Sequence, residues 1–453
     1  MRRVFALLLL SGVAHAQAFT NVLWPPRDVD VREDFGTLVV ALDEDVLAVL
    51  DLREGQSPFV RTYVREGLNW IEDGRLPVQP ATLGGLHELD VDGDRVLVSG
   101  SGGLEIFRRF GARDWRQRTV PLPASVAGNV QVGDLSGEWL AAASSDTVAL
   151  LQRQQDEWVT VQEIPIGILY QIALDGDDLL VVSRFRLATI YRRSASTWTS
   201  EFRVGTESQC SLVNDRLALV LGGMFRTFDR GATGWSPSGT VPSDALAVRL
   251  TGDHAVLGLG APYTVLRRVG GGWTSLGELV PPGPDARLGN DLAASGALVA
   301  VGSFTPLTEN LRGAVWTFAL DGAHATLIPS AMRMALEPGG TLRLDLDAGP
   351  ASAGQLFVLA GSLSGSSPGF HVLGQRIPLN RRDDPYYPRS AQYGRLDADG
   401  RATVELVLPP TQPGEPLAFL KDRTFHHAFV VWDGRRITHV SNVALTAIVG
   451  RFH

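Results

Sequence analysis

One internal repeat constrains the fold of this chain more than any other feature. Each unit joins an acidic turn to an apolar run and a later tryptophan, as in LDVDGDRVLVSG followed by LEIFRRFGARDW. One turn position, taken as a marker, recurs at steps of 49, 44, 39, 38, 38 and 44 residues. The seven marker residues are Asp45, Asp94, Glu138, Asp177, Asp215, Asp253 and Ala297. Such spacing predicts seven copies of one supersecondary structure.

A tryptophan follows the marker at 25 residues in the first unit and at 20 or 21 residues in the next five. These residues are Trp70, Trp115, Trp158, Trp198, Trp235 and Trp273, with Ala325 near the equivalent place in the seventh unit. An aromatic residue at one fixed place per unit is typical of packing between neighbouring units. Stacking of sugars on a ring of six aromatics is the alternative.

Each unit also holds four short segments of strand character, which in the second unit are HELDV, RVLVSG, LEIFRR and WRQRTVPLP. No segment shows a sustained helical period, and Gly, Asp, Asn and Ser separate the segments. Four strands in about 40 residues match one propeller blade. We therefore expect an all-β chain whose residues 19–328 form a seven-bladed β-propeller, with a closing strand from residues 19–32 beside the last blade.

The seventh unit, RLGNDLAASGALVAVGS and then GAVWTFALDG, resembles the FG-GAP repeat of bacterial secreted proteins, which is related to the integrin-α propeller. Phe35-Gly36 keep the Phe-Gly pair of that pattern, and Leu288-Gly289 keep its glycine. Gly313-Ala314 and Phe318 match its later part. The resemblance covers roughly residues 33–328. It implies a propeller used for extracellular adhesion or recognition, without a fixed catalytic set.

The pattern of apolar and polar residues changes after the repeats. Segments such as GTLRLDLDA, RATVELVLP and HHAFVVWD alternate or run apolar as strands do. Residues 329–453 are therefore predicted to form a small β-sandwich. This region resembles the C-terminal domain of planctomycete-type exported proteins, a resemblance that implies no function of its own.

The acids Asp90, Asp92 and Asp94 suggest a calcium loop at first sight. Calcium needs six to eight oxygen ligands, and a hydrophobic strand follows Asp94 before any closing carboxylate. The equivalent turns keep Asn or Gly beside Asp, as in Asn214-Asp215, which is the chemistry of a two-residue hairpin turn with positive φ. Turns are thus favoured, with calcium kept as a weak alternative and no other cofactor expected.

No other motif predicts a catalytic, cofactor-binding or metal-binding residue. Ser367 in GSSPG would need a backbone N–H after it to form an oxyanion hole, and Pro368 has none. His426 and His427 are adjacent and would point to opposite faces of a strand, and His439 stands apart. The single cysteine, Cys210, excludes an intrachain disulfide and is predicted to be a small buried apolar residue.

The N-terminus reads MRRVFALLLLSGVAHAQAFT, a basic start, a short apolar run and two Ala-x-Ala cleavage sites. It predicts a signal peptide over residues 1–18 and an exported protein. No later segment is long and apolar enough to span a bilayer. The net charge of −8 argues against a nucleic-acid partner.

These observations favour a non-enzymatic recognition, adhesion or scaffold protein that binds a protein or glycan at the face of the ring where the seven turns gather. Longer insertions at 51–61 and 303–312 are candidate contacts. The alternative is an extracellular hydrolase or lyase of polysaccharides with its site at the propeller channel. That alternative needs acids, a histidine or a tyrosine to converge there, and the sequence spreads its acids over the turns.

Overall fold

The computed structural model describes most of the chain in seventeen segments. They are residues 18–23, 33–53, 59–66, 69–79, 86–100, 103–258, 263–279, 291–306, 311–320, 326–329, 333–364, 369–373, 375–380, 392–411, 418–420, 423–441 and 444–449. The predicted signal peptide up to residue 17 therefore lies outside the described residues, as do Leu288-Gly289, Ala325 and Ser367. No helix of the described chain is long and apolar enough to cross a membrane.

Seven four-stranded blades form an all-β propeller, which confirms the predicted fold class. Five blades are separate sheets, and blades 1 and 7 are joined into one eight-stranded sheet by a short parallel pairing of their strands at Glu33 with Leu311 and Asp34 with Arg312. In chain order the strands are β1 (Ala18–Leu23), β2 (Glu33–Asp43), β3 (Val46–Arg53), β4 (Phe59–Glu66), β5 (Asn69–Pro77), β6 (Leu86–Asp92), β7 (Arg95–Gly100), β8 (Gly103–Gly111), β9 (Asp114–Arg118), β10 (Val132–Ser136), β11 (Trp139–Ala143), β12 (Thr147–Gln154), β13 (Glu157–Pro165), β14 (Leu169–Asp175), β15 (Asp178–Ser183), β16 (Leu187–Ser194), β17 (Thr197–Gly205), β18 (Ser211–Val213), β19 (Arg216–Val220), β20 (Met224–Gly231), β21 (Gly234–Pro242), β22 (Ala247–Thr251), β23 (His254–Gly258), β24 (Tyr263–Val269), β25 (Gly272–Leu279), β26 (Leu292–Ser295), β27 (Leu298–Pro306) and β28 (Leu311–Ala319).

Blade 1 is β2–β5, blade 2 is β6–β9, and the count continues in fours to blade 6, β22–β25. Blade 7 contains β26–β28, and β1 pairs antiparallel with β28 as its fourth strand, with Ala18 opposite Ala319. The expected closing strand is thus confirmed for residues 18–23. The innermost strands contact one another in the order β2, β6, β10, β14, β18, β22, β26 and back to β2, so the ring is closed and leaves no free inner edge.

The second strand of each blade forms the densest part of the core. All six residues of Arg95–Gly100 are buried, as are all five of Trp139–Ala143. These runs are apolar without alternation because neighbouring blades cover both faces of the strand. The fourth strands are partly exposed, as the mixed pattern of Thr197–Gly205 shows.

The predicted hairpin turns are confirmed at all seven markers. Each turn has two residues, and the first of them has a positive φ. These first residues are Glu44 (φ 41), Gly93 (φ 59), Gly137 (φ 57), Gly176 (φ 58), Asn214 (φ 50), Gly252 (φ 54) and Gly296 (φ 58). Five of the seven are glycines because glycine adopts this backbone region without steric cost.

A β-sandwich follows the propeller. Its strands are β29 (Thr326–Pro329), β30 (Arg333–Ala335), β31 (Gly340–Asp347), β32 (Leu356–Ser362), β33 (Phe370–Val372), β34 (Gln375–Ile377), β35 (Gln392–Arg395), β36 (Arg401–Leu408), β37 (Thr424–Trp432), β38 (Ile437–Val440) and β39 (Ala444–Val449), with 3-10 turns at Pro350–Ser352 and Ala418–Leu420.

The sheet β29-β31-β36 and the larger sheet built on β37 enclose one apolar core. Leu342, Leu344 and Leu346 alternate inward from β31. His427 is buried, which lowers its pKa to about 3. A salt bridge of 2.9 Å joins Arg376 of this domain to Glu66 of blade 1.

Candidate functional site

The channel of the propeller holds a cavity of about 580 Å³ lined by the innermost strands of all seven blades. Four acidic side chains reach it, Glu88 and Asp90 from blade 2, Asp134 from blade 3 and Asp291 just before blade 7. Arg249 of blade 6 is the cation of the described lining. The glutamines Gln131, Gln171 and Gln209 and the phenol of Tyr170 complete its polar surface. The sequence analysis missed this convergence of acids.

Most of these polar side chains connect neighbouring blades. Asp90 Oδ2 accepts a hydrogen bond from the backbone N–H of Leu135 at 2.6 Å. Asp134 Oδ2 accepts from Leu174 N–H at 2.8 Å, one blade further on. Asp90 and Asp134 stand four residues before their markers, and so does Ser211, whose hydroxyl accepts from Leu250 N–H at 2.9 Å. The position is thus a repeated structural one.

Where that position is not an acceptor, the junction is bridged either by a residue two places earlier, as at Gln171 and Asp291, or by a donor at the position itself, as at Arg249. Gln171 bonds both the N–H and the carbonyl oxygen of Cys210, at 2.9 and 2.8 Å. Arg249 Nε donates to the carbonyl oxygen of Leu292 at 3.2 Å. Asp291 accepts from the backbone N–H of Val40 and so joins blade 7 to blade 1. Six of the seven junctions carry such a bond in the described chain, which makes the channel wall a rigid belt.

The acidic turns form a second belt. Asp43 Oδ2 accepts from Gly93 N–H at 2.8 Å, and Asp92 Oδ2 accepts from Gly137 N–H at 3.0 Å. Ser136 Oγ accepts from Gly176 N–H at 2.9 Å in the same way. The acids at 90 and 92 therefore bind backbone amides of the next blade, whereas Asp94 accepts from Arg108 at 2.9 Å. Within the described part of the chain, no three His, Cys, Asp or Glu side chains are arranged to hold a metal ion.

Burial changes the protonation of the channel acids. The carboxyls of Asp90 and Asp134 are hydrogen bonded to each other, and burial raises the pKa of both. The charge of Asp90 raises the pKa of Asp134 further. Burial also raises the pKa of Glu88 to about 8, although the Arg249 charge opposes this, and that of Asp291 to about 6.

This arrangement limits the chemistry of the channel. Glu88 carries a proton at neutral pH and forms no hydrogen bond to another blade in the described chain, so it is the best candidate for a general acid. Retaining glycosidases hold their two carboxyls about 5 Å apart, and inverting ones hold them further apart. The direct contact of Asp90 with Asp134 is too close for either arrangement, and both acids are already bound to backbone amides.

The tryptophans pack between blades, as expected. The ring of Trp198 lies edge-on to Trp139 of the preceding blade, with the ring centres 5.7 Å apart. Trp235 stacks on Phe202 at 5.8 Å, again across a junction. Trp115 Nε1 donates to Asp73 Oδ2 of blade 1 at 2.9 Å. Trp70, Trp158 and Trp198 are buried, which excludes those three rings as exposed sugar platforms.

The two faces of the ring differ. The turn face carries the seven marker turns, six of which contain an acid, and the opposite crossover face carries the connections from second to third strands and from blade to blade. Exposed apolar side chains lie on the crossover face at blade 4 and just before blade 6: Ile168, Tyr170, Phe185, Leu187 and Leu246. Phe185 is 78% exposed at the tip of its turn. We call these five residues the apolar patch.

Backbone and side-chain contacts hold the apolar patch together. Arg184 N–H donates to the Ile168 carbonyl at 2.7 Å. The Arg186 guanidinium stacks on the Tyr170 ring at 5.0 Å. Gln209 N–H donates to the Leu246 carbonyl at 2.8 Å, which ties blade 6 to the same surface. Since Tyr170 also lines the cavity, the patch borders the mouth of the channel.

The remaining sequence candidates lie apart from this surface. Cys210 is buried below the channel wall, and burial raises the pKa of its thiol to about 11. His426, His427 and His439 belong to the sandwich, with His427 buried and the other two partly buried. Residues 54–58 and 307–310 of the two insertions lie outside the described chain, and both insertions join second to third strands on the crossover face.

Comparison with known proteins gives likeness of structure without likeness of sequence. No protein-family model and no curated protein matches this chain, so the FG-GAP resemblance stays a hypothesis. A chain of the mitotic checkpoint complex is 14% identical, with 70% of this chain and 96% of that chain covered and a TM-score of 0.47.

Two bacterial structures are similar at the same level. BamB of Moraxella catarrhalis is 12% identical over 67% of this chain and 98% of its own, with a TM-score of 0.41. PorZ of Porphyromonas gingivalis, described as a surface component of the type-IX secretion system, is 12% identical over 70% of this chain, with a TM-score of 0.37. This chain covers 45% of PorZ. At these identities the function must be argued from the site itself.

Proposed function

We propose that this protein is an exported, non-enzymatic binding module whose propeller is a rigid platform for a protein partner. The observation that carries the proposal is the apolar patch on the crossover face. Monomeric proteins seldom gather large apolar side chains on one exposed surface unless it is used in an interaction. Aromatic residues and arginine are also enriched in protein interfaces, and both occur here.

The composition of the apolar patch favours a protein over a glycan. Three of its five side chains are aliphatic, and sugars are bound mainly on flat aromatic rings. The blade-to-blade belts support the platform role because they fix the positions of the blades that carry the patch. Export and the FG-GAP resemblance are part of this proposal and agree with an extracellular partner.

The decisive experiment places a photo-crosslinking amino acid at position 185 and, as the matched control, at position 110. Phe110 is also exposed and flanked by arginines, but it lies on the turn face. We expect a discrete crosslinked product from the exported fraction at 185 that is absent at 110, and that Leu187→Ser abolishes. Equal labelling at both positions, or no labelling at position 185, would refute the proposal that the crossover face binds a protein partner.

The acids of the channel keep a polysaccharide hydrolase or lyase as the second candidate. Glu88 supports it because a carboxyl protonated at neutral pH is what a general acid requires. The mature chain is incubated with insoluble polysaccharides, and both retained protein and released sugar are measured. We expect no release. Release that is lost in Glu88→Gln would establish the enzyme and remove the non-enzymatic proposal.

A further inference from the structure

Arg186 lies in the apolar patch in an unusual state for a charged residue. Its guanidinium stacks on Tyr170 at 5.0 Å, and its Nη1 donates to the carbonyl oxygen of Glu207 at 2.9 Å. No carboxylate of the described chain forms a salt bridge with it. An arginine whose position is already fixed, with further N–H groups facing solvent, can bind a carboxylate with little loss of side-chain entropy.

Arg184 repeats this feature two residues away. It is exposed as well, and it too forms no salt bridge within the described chain. The nearby carboxylate of Glu207 accepts from the backbone N–H of Gly222 at 2.9 Å instead. Both arginines are therefore chain neighbours of Phe185, the most exposed side chain of the patch, and are available to an external carboxylate.

Several arginines on the turn face are paired with carboxylates. Arg108 pairs with Asp94 at 2.9 Å, and Arg153 pairs with Glu138 at 2.9 Å. Arg230 pairs with Glu201 at 3.0 Å. In a chain of net charge −8, carboxylates are available to arginines over most of the surface. Arg184 and Arg186 thus offer two cationic groups beside exposed apolar side chains.

We infer that the crossover face binds an acidic, apolar segment of a partner protein, with its apolar side chains on Phe185 and Leu187 and its carboxylates on Arg184 and Arg186. This inference rests on the proposed function and adds the chemistry of the partner. Charge complementarity selects the partner, and the aromatic and aliphatic side chains contribute most of the buried area.

The test uses three sets of labelled short peptides in which Leu and Phe alternate with Glu, with Gln or with Lys. Binding to the full mature chain is followed by fluorescence anisotropy at low and at high salt. We expect the Glu set to bind about tenfold more tightly than the Gln set, which corresponds to charge-assisted hydrogen bonds. Salt should weaken the difference.

Two variants assign the effect to the patch. Arg186→Gln should lose the preference for Glu over Gln, while Arg203→Gln, which changes an exposed arginine outside the patch, should keep it. Thermal unfolding checks that both variants remain folded. Equal binding of the Glu and Gln sets, tighter binding of the Lys set, or no binding by any set would each overturn the inference.

These outcomes can be distinguished from a failure of the proposed function itself. If crosslinking at position 185 captures a discrete partner while the peptides show no preference for Glu, the proposed protein-binding function is supported. In that case the inference of an acidic partner segment is wrong. If crosslinking fails as well, both proposals fall.

Discussion

Asp134 on blade 3 accepts a hydrogen bond of 2.8 Å from the backbone N–H of Leu174 on blade 4. Its other contact is the carboxyl of Asp90 on blade 2, so one side chain connects three blades. Most neighbouring blades of this propeller do not share strand pairing. Polar side chains of the innermost strands connect them instead, and Asp90, one of the three acids that suggested a calcium loop, is a member of this belt.

Replacement of Asp134 tests this belt. Asp134→Ala leaves the Leu174 N–H without an acceptor in a buried position, which should lower the free energy of unfolding by about 1–3 kcal/mol. Asp134→Asn keeps an acceptor oxygen and should lower the free energy of unfolding much less. Urea denaturation of both variants gives the comparison, and equal losses would show that the hydrogen bond to Leu174 is unimportant.

The channel also predicts how stability depends on pH. In the folded protein the pKa of Glu88 is raised to about 8 by burial, so the folded state holds this proton over a range where the unfolded state has released it. The free energy of unfolding should therefore be higher near pH 6.5 and fall as the pH rises to about 8. His427 acts with the opposite sign: its unfolded form takes up a proton from about pH 6.5 downward, whereas the buried form stays neutral to about pH 3. Its contribution therefore lowers the free energy of unfolding as the pH falls through that range, and it is small near pH 8.

Glu88→Gln is the matched variant, since it keeps the shape and removes the titration. The melting temperature of this variant should change less between these two pH values than that of the natural protein. A fall of the same size in both proteins would assign the pH dependence to other groups.

Glycines in the fourth strands make room for the tryptophans of the next blade. A Cβ on Gly239 would lie 2.7 Å from Cδ1 of Trp273, which is far below an ordinary contact. Gly239→Ala should therefore destabilise the protein by about 1–3 kcal/mol through overpacking. Gly111→Ala, where a Cβ meets open space, is the control and should be near neutral. Denaturation midpoints measure both, and a neutral Gly239→Ala would mean that the indole moves freely.

The packing role of the tryptophans is tested at Trp198, which is 2% exposed. Trp198→Ala removes the contact with Trp139 and should cost about 3–5 kcal/mol of stability, whereas Trp198→Phe should cost less. Retention on insoluble polysaccharides should be the same for Trp198→Phe as for the natural protein. Loss of retention in a folded Trp198→Phe would support the sugar-stacking alternative.

The repeat in the sequence was sufficient to predict the blades. Strand pattern and turn chemistry are local properties, so the positive φ at Gly93 and Asn214 followed from residue type. A constant offset of tryptophan from the turn likewise predicted packing at a fixed place in each blade. The closing strand expected from residues 19–32 was found at residues 18–23, paired with β28 of the last blade.

Tertiary structure alone decided which side chains meet in the channel and at the patch. Glu88, Asp134, Arg249 and Asp291 come from four different blades, and their distances along the chain carry no sign that they share one cavity. The same acid can lie in a solvated turn or in a buried belt, and that choice sets its pKa. The sequence of one unit was enough to determine its strands. The role of each polar side chain depended on the closed ring, because the neighbouring blades decide whether that side chain is buried.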